Sequence, residues 1–174
     1  MRLFKTLFLS LFVLSQIFAQ TTSEIGIWLD HLPYGRTVEV IQEGDQVFCA
    51  VENGLFIFNK ANKDITRLSK LNGLSDVSVK AMAYAKATGE IIIGYDNANI
   101  DIIRGEQIEN VSDIRLSANF PGLTTANHLF VQGKLVYIST DFGIVIMDLD
   151  DRIIKSTLII GPFGTSIKVN QVVI

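Results

Sequence analysis

Apolar and polar positions along this chain follow no sustained helical period. Short apolar runs are instead broken by Gly, Asn and Asp, which is the pattern of strands joined by tight turns. One turn is written three times. "ENGLFIF" (52–58), "DNANIDI" (96–102) and "DFGIVIM" (141–147) each place an acid and small residues before an apolar run. Superposing them brings Ala50, Gly94 and Ser139 together, at offsets of 44 and 45 residues. A period of that size fits a four-stranded propeller blade.

Each unit divides into four predicted strands. They span 37–42, 46–51, 55–59 and 64–68 in the first, then 79–84, 90–95, 99–104 and 107–112 in the second. In the third they span 127–132, 134–139, 144–149 and 152–158. The middle strands are apolar on both faces ("LFIF", "III", "IVIM"), as expected of a sheet packed between two others. The fourth strands ("ITRL", "IENVSD") are more polar and suit an outer rim. The expected fold is an all-β propeller of four-stranded antiparallel blades. Three blades (36–76, 77–122 and 123–166) are followed by the first strand of a fourth (167–174). Propellers close with about four to eight blades, so the ring is expected to be incomplete, the chain a truncated piece and the native protein longer. An isolated open ring exposes apolar blade faces and is expected to aggregate or oligomerise.

In the repeated turn, Gly54 and Gly143 are expected to supply positive φ where the second strand folds back into the third. Ala98 occupies that place in the second unit. A left-handed alanine costs on the order of 1 kcal/mol, which shifts the expectation to Asn97 or Asn99.

Residues 1–19 change the picture of where the chain works. Arg2 and Lys5 precede an apolar run from Leu7 to Phe18, with cleavage expected after Ala19. No later segment is long and apolar enough to cross a membrane as a helix. The whole chain carries a formal charge of −3, and loss of Arg2 and Lys5 makes it two units more acidic. No basic stripe points to nucleic acid.

Candidate chemistry is sparse. Cys49 lies in an apolar run and reads as a small core residue. His31 and His128 occur in unrelated contexts and read as surface or packing residues rather than a metal pair. Asp148, Asp150 and Asp151 lack EF-hand spacing and read as a solvated hairpin turn. Trp28 and Tyr34 could stack on a sugar ring, but read as packing for the N-terminal segment. No nucleophile elbow, P-loop or zinc motif is found. The expectation is therefore no enzyme, no cofactor, no metal and no catalytic residue, with partner-binding residues unassigned.

"CAVENGLFIFNKANKDITRLSKLNGLSD" (49–76) resembles the two-component regulator propeller repeat of Bacteroidetes proteins. With "WLDHLPY", "NANIDII", "NVSDI", "STDFGIVIMDL" and "IIGPFGTSIKVN", the ordered set is similar to the N-terminal propeller of PorZ-like accessory proteins of the type IX secretion system. The resemblance implies export to the outer-membrane cell surface, two propellers, and a C-terminal β-sandwich that serves as a secretion signal. It implies partnership with the sortase-like protease, which removes such signals from cargo and attaches anionic lipopolysaccharide, with outer-membrane secretion components, and with the anionic lipopolysaccharide itself. The same repeat also builds periplasmic sensor domains of hybrid histidine kinases that detect glycans, which is the alternative reading. A propeller lyase or glycosidase would need polar groups converging at the ring's mouth, and none stand out.

Overall fold

Twelve strands make three separate four-stranded antiparallel sheets in the computed structural model, which describes residues 35–117 and 124–174. Sheet 1 contains β1 (Thr37–Glu43), β2 (Gln46–Val51), β3 (Gly54–Asn59) and β4 (Ile65–Leu68). Sheet 2 contains β5 (Val79–Ala85), β6 (Glu90–Tyr95), β7 (Ile100–Arg104) and β8 (Gln107–Val111). Sheet 3 contains β9 (His128–Gln132), β10 (Leu135–Ser139), β11 (Ile144–Asp148) and β12 (Ile153–Leu158). In each, strands pair in chain order as a meander. The first strands, β1, β5 and β9, pack side by side and mark the inner edge of an open ring of propeller blades.

Burial follows the two-faced pattern of the middle strands. Every residue of β6 is buried, because sheet 2 lies between the other two. Ile91, Ile93 and Tyr95 pack toward Phe48, Ala50 and Leu55 of sheet 1. Ile92, Ile100 and Ile102 pack toward Leu129, Val136 and Ile138 of sheet 3. At about 25 cal/mol per Å² of apolar surface, these two seams are the main source of stability. The outer strands β4 and β12 are largely exposed, as their polar sequences require.

A repeated joint links the sheets. The Val79 N–H donates to the Glu52 carbonyl at 2.9 Å, and the Ala126 N–H to that of Tyr95 at 3.0 Å. The Val169 N–H donates to the Thr140 carbonyl at 2.9 Å. Val169 thus stands to sheet 3 as Ala126 stands to sheet 2. The expected strand over 167–174 does not form, however. These residues are extended coil, since strand pairing needs a second strand beside them and none is there among the described residues.

Of the expectations for the repeated turn, one holds and two are corrected. Gly143 does adopt positive φ (151°), and a Cβ there would collide with the Leu158 carbonyl. Gly54 is not left-handed; it opens β3 paired with Val51, so Glu52 and Asn53 form a two-residue turn with Gly in the fourth position, as type I turns favour. Ala98 itself takes the left-handed conformation (φ 56°), not Asn97 or Asn99. Its methyl is fully buried beside Ile100, and Asn97 Oδ1 accepts the Asn99 N–H at 3.0 Å. Burial and that local bond offset the strain. A short helix, α1 (Asp113–Leu116), and a 3₁₀ turn (Pro162–Gly164) were not expected from the pattern.

Candidate functional site

The inner strands line an open depression of about 400 Å³, bordered by Glu39, Glu43, Lys86, His128, Phe130 and Gln171 among others. Its charges are largely committed. Glu39 Oε2 accepts the Met82 N–H at 3.0 Å, holding β1 to β5. Glu43 and Lys86 pair at 3.6 Å across the same seam. His128 opens β9 and faces Ser139 in the sheet. Its Nδ1 is shielded and lacks a hydrogen-bond partner.

A second polar cluster lies at the rim between sheets 2 and 3. Glu90 is completely buried at the start of β6. Arg152, from the β11–β12 turn, reaches it at 2.5 Å and also holds Glu109 at 2.9 Å, while Arg104 meets Glu90 at 2.9 Å. Arg152 also donates to the Leu149 carbonyl. Burial alone would raise the Glu90 carboxyl, but its bonds to Arg152 and the charges of Arg152 and Arg104 outweigh this and hold it below the ordinary range. Arg152 is raised by the same bond. With two acids and two guanidinium groups the cluster is charge-balanced, and it clamps one sheet to the next.

A third cluster secures a linker. Asp101 is buried in β7 and accepts the Tyr95 hydroxyl at 2.6 Å, the Ser75 N–H at 2.8 Å and Asn110 Nδ2 at 2.9 Å. Burial first, then the bond to Asp101 and its charge, push the Tyr95 phenol far up. Asp141 has a comparable role at the following seam. It accepts the Thr125 N–H at 3.0 Å and Asn127 Nδ2 at 3.1 Å, and pairs with Lys168 at 3.2 Å. Burial opposes these contacts, yet they leave its carboxyl lowered.

The sequence candidates separate in space. Asp148 Oδ1 accepts the Asp150 N–H at 2.8 Å, and Lys155 pairs with Asp148 and Asp151, while Lys134 pairs with Asp150. These acids are turn-forming and lysine-paired, as their sequence context suggested. Cys49 is a correction. It is half-buried on the face of β2 turned away from sheet 2, in a cross-strand row with Val40 and Phe56, rather than in the core. His31, Trp28, Tyr34 and the expected signal peptide lie outside the described residues. Glu90 and Asp101 were missed. The available signal was an acid set among isoleucines, in "GEIII" and "NIDII".

The family model for the type IX secretion PorZ N-terminal β-propeller domain matches residues 47–174. PorZ of Porphyromonas gingivalis, described as an essential bacterial surface component of the type IX secretion system, is 26% identical with a TM-score of 0.68. That match covers 76% of this chain, which spans 18% of that one. The extracellular domain of the putative one-component system BT4673 from B. thetaiotaomicron is 14% identical, with a TM-score of 0.60 over 75% of this chain and 18% of that one. AztD from Citrobacter koseri is 17% identical, with a TM-score of 0.53 over 72% of this chain and 34% of that one. These last two share the fold. No curated protein matches the chain. By its blade pattern, its structure and the span of the family match, the chain belongs to the PorZ N-terminal β-propeller domain family.

Proposed function

We propose that this chain is part of a non-enzymatic propeller scaffold that serves type IX secretion at the outer-membrane surface. There it assists the sortase-like protease that removes cargo signals and attaches anionic lipopolysaccharide. The observation that carries this reading is the family match over 47–174, joined to the likeness to PorZ at 26% identity. The chemistry agrees with a holding role, because the buried acids Glu90 and Asp101 are spent on seams and linkers. Affinity purification of the full-length protein from its own cells tests the reading. Recovery of the sortase and outer-membrane secretion components supports it, together with unprocessed cargo when the gene is deleted. Normal cargo processing in the deletion strain overturns it. A glycan-sensing domain of a hybrid histidine kinase is the second reading, favoured by the fold shared with the BT4673 extracellular domain. A kinase encoded in the same gene would establish it.

A further inference from the structure

The two seams between sheets differ in the turn that closes their rim. In sheet 3 Asp148 pairs with Ile153, which leaves a four-residue turn from Leu149 to Arg152. Leu149 is buried in the core of the second seam. The Arg152 side chain, 21% exposed, crosses to Glu90 and Glu109 of sheet 2. In sheet 2 Arg104 pairs with Gln107, so the turn is only Gly105 and Glu106. Gly105 has no side chain, and Glu106 has no ion-pair partner among the described residues. Beside this shorter turn a slot of about 370 Å³ opens between sheets 1 and 2. It is bordered by Ile57 and Thr66, which pair in sheet 1 as Ile102 and Glu109 pair in sheet 2.

Ile57, Leu68 and Ile108 give the slot apolar walls, and Glu106 is the one charged residue among those that line it. Its volume falls in the roughly 300–1,000 Å³ range of ligand pockets. The walls are held in place. Asn72 Oδ1 accepts the Ser69 N–H at 2.6 Å, and its Nδ2 donates to the Arg67 carbonyl at 2.7 Å. A Cβ on Gly73 would stand 2.7 Å from Ile108 Cδ1, so glycine leaves that side chain lying along the wall. The arginines next to the slot in sequence are engaged elsewhere. Arg104 meets Glu90 at 2.9 Å, and Arg67 lies over the Phe56 ring at 5.7 Å.

We infer that this slot receives an arginine side chain presented by a peptide segment of a partner protein, with Glu106 as its counter-ion. The second seam supplies the template, since Arg152 stands at the equivalent place beside Ile102 and Glu109. The aliphatic stem lies on Ile57, Leu68 and Ile108, and the guanidinium meets the Glu106 carboxylate. Charge complementarity decides against other occupants. An anion is repelled by Glu106, and a neutral apolar group gains nothing from it. One carboxylate supplies too few ligands for a hard cation such as calcium. Lysine carries the same charge as arginine, but its ammonium is more strongly hydrated and loses more on entering an apolar slot. The inference goes beyond the secretion reading and requires neither lipopolysaccharide nor sortase.

The test is saturation-transfer difference NMR on the full-length protein with an excess of the acetylated, amidated tripeptide Gly-Arg-Gly. Saturation of the arginine methylenes is expected, with a dissociation constant on the order of 1 mM. Glu106→Gln is expected to weaken binding about tenfold, as loss of one charge-assisted pair predicts, and Glu106→Lys to abolish it. The norleucine counterpart, which keeps the stem without the charge, is expected to bind about tenfold more weakly. The lysine counterpart is expected to fall between the two. Glu106 is exposed, so thermal melts of its variants should stay unchanged. Glu43→Gln, at the depression by the inner strands, is expected to bind like wild type. The inference is overturned by a wild type that transfers no saturation, or by Glu106 variants that bind as wild type does. Equal binding of the norleucine or lysine peptide, or a Glu43→Gln loss as large as that of Glu106→Gln, overturns it too. Normal cargo processing in a deletion strain, with peptide binding by the purified protein intact, would count against the secretion reading alone.

Discussion

The two seams of this molecule solve one packing problem with different chemistry. Both join middle strands through isoleucine, leucine and aromatic contacts, with Phe48 stacked on Tyr84 at 6.1 Å in the first. They diverge at the rim. In the second seam Arg152 meets buried Glu90 and Glu109. In the first, Gln46 opens its strand as Glu90 does, and Thr66 faces Ile57 as Glu109 faces Ile102. The β7–β8 turn offers Gly105 and Glu106 where the later turn offers Arg152, leaving a slot of about 370 Å³ walled by Ile57, Leu68 and Ile108. Burial of apolar surface is therefore what a seam requires. The ion cluster is an addition that costs desolvation and gives alignment.

The strongest test of that view removes what the seams share. Ile92 and Ile93 are fully buried and face opposite seams. Ile93→Ala and Ile92→Ala should each lower unfolding free energy by about 3–4 kcal/mol in denaturant titrations. A marked inequality would break the equivalence of the seams. Next in size, Arg152→Ala should cost about 2–3 kcal/mol, since it leaves Glu90 buried with only Arg104 beside it. The double variant Glu90→Gln with Arg152→Met, which gives the second seam the neutral character of the first, should recover to within about 1 kcal/mol of wild type. Failure to recover would show the charges are indispensable.

A smaller effect separates the seams by pH. The Glu90 carboxyl is held below its unfolded value. Its contribution is present above about pH 4.3 and is lost as pH falls through the depressed folded value. Wild type should therefore lose stability on acidification below about pH 4, and Glu90→Gln should lose less, as followed by urea midpoints. Asp76 and Asp141 are also lowered and will leave a residual slope in both proteins. Gly73 gives the smallest effect. It has φ 147°, and an added Cβ would sit 2.7 Å from Ile108 Cδ1 at the slot. Gly73→Ala should cost about 1 kcal/mol by strain, read as a small fall in melting temperature.

The strands were legible because middle strands buried on both faces repeat their apolar runs at a fixed spacing. Cross-strand pairs formed where those runs were read, from Gln46↔Asn59 in the first sheet to Ser139↔Ile144 in the third. The helix α1 was not legible, since four residues carry no period. Ala98 was misjudged because its strain is local and visible, while the burial that offsets it comes from the folded seam. The Glu90–Arg152 contact joins residues 62 positions apart, and no spacing rule foresees a turn arginine crossing to the neighbouring sheet.

The recurrent backbone bond at Val79, Ala126 and Val169 bears on how such a chain grows. The acceptor carbonyl lies at or just past the end of each sheet's second strand, and the donor N–H lies at or near the start of the segment that follows that sheet. A duplicated segment therefore carries both halves of the joint and fits its neighbour without new side-chain invention. The same polarity suits synthesis. Every completed sheet leaves a carbonyl for the next residues to emerge, so ordering can proceed from the N-terminal side as the chain lengthens.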